Sequence, residues 1–237
     1  MIRIPATTPQ NLITDPNGSN VNPPIDKETI DDILAGSASA TLPNETALRL
    51  LDAIGISRDR SLIATTLDEA REAVTDIGFP VNMEAISLHD GESKVTIEHI
   101  TDRNTMRLEF ERLMKDADTN GVLIRPSLYG ATAYFGIRKK AGHGHVVVCG
   151  AVSKKAEKPS GFMFCTLPVT KEAATQAYNR VKGEFQINEV LFTDAIRRLS
   201  ALCSYAPAID KMDIYPVIVN ARNLMAMDAA VSIDKSI

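Results

Sequence analysis

The sequence predicts a mixed α/β (α+β) protein of two lobes, and three observations carry that expectation. The chain is 237 residues long and 44% hydrophobic, enough to bury a sizeable core in one large domain or two lobes. Its first half alternates segments of helical period with strand-like runs. From Asn120 the texture changes to three strand-like runs, "GVLIRPSL", "TAYFGIRK" and "HVVVCGAV", which predict an antiparallel sheet.

The first 25 residues hold five prolines with many Asn and Thr, so residues 1–25 are expected to form an extended arm or linker. "DKETIDDILAG" reads as a short helix closed by Gly36. "TALRLLDAIGI" follows with Ala47, Leu50, Leu51 and Ile54 on one face. Thr66 and Glu69 have capping-box spacing ahead of a helix that carries Leu67, Ala70, Val74 and Ile77 and ends at Gly78. "FPVNMEAIS" and the alternating "KVTIEHI" read as strands, and Met106, Phe110, Leu113 and Met114 mark a further helix. Residues 26–118 are therefore expected to be the N-terminal lobe and 119–237 the C-terminal lobe. In the latter, strand "GFMFCTL" and two helices precede "MDIYPVIV" and "LMAMDAAVSI", a hairpin around "NARN".

The charge excludes some function classes. A net charge of -4, with 26 Lys and Arg scattered among 30 Asp and Glu, gives no basic stripe for nucleic acid. No apolar run approaches the roughly 20 residues that span a bilayer, and the N-terminus lacks a signal-peptide core, so the expected location is the cytoplasm. Cys149, Cys165 and Cys203 lie far apart in apolar sequence and read as reduced core residues. His143 and His145, at i and i+2, share a strand face, but without a third ligand nearby they predict no metal site.

The succession "ETALRLLDAIGI", "TTLDEAREAVTDIGFPV", "GVLIRPSLYGATAYFGI", "GHGHVVVCG", "LPVTKEAA", "DKMDIYPVIV" and "AMDAAVSI" resembles the ATP-grasp (beta) component of NDP-forming acyl-CoA synthetases, the acetyl-CoA and succinyl-CoA synthetase relatives. The resemblance spans roughly Asp26 to Lys235. It implies a two-lobed ATP-grasp fold with mixed and antiparallel sheets flanked by helices, holding ATP and Mg²⁺. It also implies a CoA-binding, alpha-type partner subunit, with a homodimer as a further assembly, and the arm could be the remnant of a linker to that partner.

Position by position, the resemblance implies nucleotide-site roles that this sequence alters. Where the family has a phosphate-reaching Lys after "GyPV", this chain has Glu84. The family's acidic residue before "iG" falls near Thr132. Its Glu-x-(Asp/Glu)-x-Asn-Pro strand, whose Glu and Asn hold Mg²⁺, reads Lys211-Met212-Asp213-Ile214-Tyr215-Pro216. An ammonium offers only donors, and a neutral phenol is a poor ligand for a hard cation. His89, in "LHDGESK", is the candidate for the family's phosphate-relay histidine, with altered spacing.

The expectation is a catalytically degenerate ATP-grasp protein acting as a structural or regulatory partner, in which Glu84 and Lys211 pair with each other or with solvent. The alternative is an active ATP-dependent acyl-CoA ligase component in which Lys211, with Arg125, Arg138, Lys139 and Lys140 nearby, takes over the phosphate contacts. A third class is a small-molecule binding module.

Overall fold

The computed structural model describes residues 12–13, 22–87, 93–116, 118–140, 144–152, 160–182 and 187–235. In chain order the elements are β1 (Leu12–Ile13), α1 (Lys27–Ala35), α2 (Asn44–Ala53), β2 (Leu62–Ala64), α3 (Leu67–Ile77), β3 (Val81–Ser87), β4 (Ser93–Ile100), α4 (Arg103–Leu113), β5 (Thr119–Pro126) and β6 (Ala131–Lys140). They continue as β7 (Gly144–Val152), β8 (Ser160–Thr166), α5 (Lys171–Val181), α6 (Glu189–Tyr205), β9 (Ile209–Val219), β10 (Leu224–Ala226) and β11 (Ala229–Ile233).

Helix starts follow local chemistry. Thr66 and Glu69 cap α3 reciprocally: the Thr66 hydroxyl accepts from the Glu69 amide at 3.3 Å, and the Glu69 carboxylate accepts from the Thr65 and Thr66 amides. Gly78 ends that helix at φ 82°, a left-handed position that costs glycine little. Asp26, Asp102, Thr170 and Asn188 cap α1, α4, α5 and α6 with side-chain oxygens that accept from first-turn amides.

The chain divides into two compact units, residues 1–58 with 129–237, and residues 59–128. This differs from the linear division expected at 118/119. Strand β5 pairs with β2 and β3, so "GVLIRPSL" completes the smaller unit's sheet and does not join β6 and β7. Helices α1 and α2, expected in the N-terminal lobe, pack into the larger unit's core through Ile30, Leu50, Leu51 and Ile54.

In the smaller unit a four-stranded antiparallel sheet, ordered β2-β5-β3-β4, carries α3 and α4 on one face over Met83, Val122, Ile124 and Ile100. The alternation expected along "KVTIEHI" breaks at its end. Met83 pairs with Ile97 and Val81 with Ile100, so a bulge absorbs the extra residue and both isoleucines serve the core. His99 sits in the bulge at φ 60°, its amide held by the Asn82 side chain at 2.9 Å.

The larger unit has a mixed sheet, β1-β8-β7-β6-β9-β10, with β11 also paired to β9. All its pairings are antiparallel except that of β1 with β8. The arm was expected to bury little, yet Leu12 and Ile13 extend the sheet edge and Ile13 enters the core. The core lies between one sheet face, including Phe135, Ile137, Cys149 and Ile214, and helices α1, α2, α5 and α6. The opposite face holds a smaller cluster of Tyr134, Val146, Val148, Phe162 and Phe164, with Leu12 and Tyr215 against it. All three cysteines are free and buried. Burial pushes the Cys203 thiol up to about 12, and a thiol–thiol hydrogen bond with Cys165 together with burial raises Cys149. Cys149 and Cys203, with raised pKa values, are not poised as thiolate nucleophiles.

Candidate functional site

Strand β9 sorts its side chains by face. Met212 and Ile214 are buried in the core, while Lys211, Asp213 and Tyr215 point to the opposite face and are half-buried. Register with β6 sets their neighbours, since Gly136 pairs with Asp213 and Arg138 with Lys211. Tyr134 and Arg138 flank Gly136 on the same face of β6 and meet at the Asp213 carboxylate.

Asp213 is the centre of this cluster. Its Oδ1 accepts from the Tyr134 hydroxyl at 2.6 Å and is ion-paired with the Arg138 guanidinium. Its Oδ2 lies 3.0 Å from Lys211 Nζ. Arg138 is anchored further by donating to the carbonyls of Ile137 and Met212 at 2.7 and 2.8 Å. Burial alone would raise the Asp213 pKa, but hydrogen bonds from Tyr134, Arg138 and Lys211, with the Arg138 charge, outweigh it and hold the carboxyl below its usual range. Burial raises the Tyr134 pKa, so its hydroxyl stays a donor at ordinary pH.

Gly136 makes the cluster sterically possible. A Cβ there would lie 2.3 Å from Tyr134 Oη and 2.4 Å from the Met212 carbonyl oxygen. Only glycine lets the Tyr134 side chain lie back across β6 to reach β9.

Tyr134, Arg138, Lys211, Asp213 and Tyr215 line a pocket of about 260 Å³, which Asp228, Ala229 and Ala230 complete. The Asp228 carboxylate accepts from the Asn44 amide, which also donates to the Ala229 carbonyl at 3.2 Å. The Tyr215 amide donates to the Asp228 carbonyl at 3.1 Å, fixing the start of β11 against β9.

The sequence-predicted residues distribute as follows. Lys211, Asp213 and Tyr215 come together in this pocket. Thr132 lies half-buried on β6, paired with Ile218 and Val152, and is not among the pocket's lining residues. Glu84, on β3 of the smaller unit, is ion-paired with Arg125 of β5. Glu84 and Lys211 thus each have a partner of opposite charge within their own sheet. His89 and His143 lie outside the described residues. His145 is half-buried on β7 opposite Lys139. Among the described residues, no group of three or more His, Cys, Asp or Glu is arranged to hold a metal ion. No helix among them is long and apolar enough to cross a membrane.

Tyr134 and Asp228 were not singled out from sequence, and Arg138 only as one of several nearby cations. The usable signal was period two in "TAYFGIRK", which sets Tyr134 and Arg138 on one face around Gly136.

Residues 34–233 match the ATP-grasp domain family, and the chain belongs to it. Within it, the chain is similar to ADP-forming acyl-CoA ligases. It is 27% identical over 211 residues to the beta subunit of the ADP-forming acetate–CoA ligase II of Pyrococcus furiosus, covering 80% of this chain and 89% of that subunit. It is 27% identical over 198 residues to the ADP-forming acetate–CoA ligase II of Archaeoglobus fulgidus, covering 77% of this chain but only 29% of that protein. The chain therefore spans most of the first relative and under a third of the second. Among solved structures, the dinucleotide-forming acetyl-CoA synthetase 1 of Ca. Korarchaeum cryptofilum, in complex with coenzyme A and Mg-AMPPCP, matches with a TM-score of 0.61 at 17% identity, over 88% of this chain and 99% of that one. A second structure of it, with coenzyme A, acetyl-coenzyme A and a phosphorylated phosphohistidine segment, matches with a TM-score of 0.60 at 18% identity, over 88% and 99%. These likenesses establish the ATP-grasp fold, and the sequence relatives make this chain similar to the beta component of ADP-forming acyl-CoA synthetases.

Proposed function

We propose that this chain is an acyl-CoA synthetase beta-type ATP-grasp protein whose nucleotide site no longer assembles magnesium. It acts in the cytoplasm as a structural or regulatory partner of a CoA-binding, alpha-type component, with a homodimer as the other assembly to test.

The observation that carries this reading is the occupancy of Asp213. A divalent cation needs oxygen ligands with free lone pairs facing it. Within "KMDIYP" Asp213 is the one carboxylate, and the pocket's other lining carboxylate, Asp228, has one oxygen held by Asn44. Asp213 already accepts from a phenol, a guanidinium and an ammonium, and two cations beside it repel a third. The residues present do not fit Mg²⁺. Glu84, which occupies the phosphate-binding position implied by the resemblance, presents a carboxylate already held by Arg125.

The test is a calorimetric titration of the purified chain with Mg·ATP, alongside an assay for ADP-forming acyl-CoA ligase activity in the presence of an alpha-type component. No magnesium-dependent binding and no turnover are expected. Saturable, magnesium-dependent binding at sub-millimolar concentration would sink the proposal.

A second reading, an active ligase component with rearranged phosphate contacts, is favoured by one observation. Arg138 and Lys211 both line the pocket. Turnover in that assay, abolished by Lys211→Met, would select it.

A further inference from the structure

We propose that the β9 pocket is a metal-independent site for a small oxyanion, a carboxylate or a single phosphoryl group, with Lys211 as its counter-charge. The proposal rests on the reading above that the pocket does not assemble magnesium.

The donors decide what the pocket can hold. Arg138 is anchored: it binds Asp213 and two backbone carbonyls through three of its five donors, and its side chain is only 17% exposed. Lys211 is different, being 43% exposed with Asp213 as its ion-pair partner. An ammonium has three donors, so two remain for a ligand. The Tyr215 hydroxyl has no protein partner among the described residues and lines the same pocket. Asp213 stays ionised, because its hydrogen bonds outweigh the effect of burial. Arg138, Lys211 and Asp213 leave one positive charge in excess at this end of the pocket, which Asp228 at the other end balances.

The other end of the pocket sets the limit. On β11, Ser232 pairs with Lys211, while Asp228 precedes Ala229, the partner of Ile214. The Asp228 carboxylate thus lies several residues away from Lys211, with one oxygen bonded by Asn44. It repels a second negative group and accepts from a hydroxyl or amine. A volume of about 260 Å³ also lies below the range of about 300–1,000 Å³ that holds drug-sized ligands. Charge and size together favour a compact oxyanion, best one bearing a hydroxyl, over a polyphosphate.

The experiment uses the full chain in EDTA, titrated separately with acetate, glycolate, inorganic phosphate and sodium ATP, and read by calorimetry and thermal shift. Saturable binding of glycolate, acetate or phosphate is expected, tighter than that of metal-free ATP and weakening as salt is raised. Preference between the acids and phosphate identifies the oxyanion. Lys211→Met should weaken binding about tenfold or more, the worth of one charge-assisted hydrogen bond, and Tyr215→Phe by less. If Lys211→Met does not fold, Tyr215→Phe and the salt series carry the test. Binding unchanged by the variants and by salt would overturn the proposal. So would no binding of any probe in EDTA, which leaves the loss of the magnesium site standing. Binding that requires Mg²⁺ would overturn both.

Discussion

The two faces of β9 are held by different means. Toward the helices, Met212, Ile214, Val217 and Val219 share a core with Phe135, Phe192 and Leu199, where cohesion is spread over many apolar contacts. Toward the pocket, Lys211, Arg138 and Tyr134 converge on one carboxylate. A distributed face tolerates moderate change at any one position, whereas a face organised by a single group fails when that group is lost. On the polar face, exchanging one residue rewires the whole cluster while the apolar face keeps the strand in place.

The largest expected effect breaks the apolar face. Phe135 is fully buried, with its ring centroid 4.7 Å from that of Phe192, so Phe135→Ala should cost about 3–5 kcal/mol in urea unfolding. Next comes Gly136→Ala, toward the upper end of about 1–3 kcal/mol for overpacking, because the new methyl meets a backbone carbonyl as well as Tyr134 Oη. That variant should also detach Tyr134 from Asp213, visible as a downward shift of the tyrosine titration followed by absorbance.

Asp213→Ala removes the centre of the polar face and leaves Arg138 and Lys211 facing each other. The site is half-exposed, which screens the repulsion, so about 1–2 kcal/mol is expected. The pH dependence sharpens this. Asp213 has its pKa depressed in the folded state, so its contribution is present above the ordinary value of 3.8 and is lost as pH falls through the folded value. The stability gap between the wild type and Asp213→Ala should therefore narrow below about pH 4. A gap that stays constant into strong acid would show that the carboxylate's charge is not what organises this face.

The same asymmetry explains what the sequence made legible. The apolar face and the helices are local information: the Thr66–Glu69 capping box and the stop at Gly78 both formed as the chain pattern predicts. The motif order also carried the family. The polar face is not local, because two of the three partners of Asp213, Tyr134 and Arg138, come from β6, 75 residues away for Arg138, and only strand register brings them together. For the same reason "GVLIRPSL" read as a neighbour of "TAYFGIRK", although β5 belongs to the other sheet. Its strand pattern is equally satisfied by either partner, and pairing with β3 is a tertiary choice.

The smallest effect compares two carboxylates, Glu84 and Asp213. Glu84 and Asp213 are both paired with arginine, yet among the described residues only Asp213 gathers several further donors. The Glu84–Arg125 pair joins neighbouring strands, with side chains 16% and 31% exposed. Glu84→Gln keeps the shape and removes the charge, so a loss of about 1 kcal/mol or less is expected by thermal unfolding. Raising the salt concentration should shrink it further. A loss equal to that of Asp213→Ala would mean that the two sites are organised alike, each by its own carboxylate. A near-neutral result would mean that Glu84 keeps its place by strand geometry, and that the charge network on the β9 face is a property of that cluster rather than of paired carboxylates in this fold.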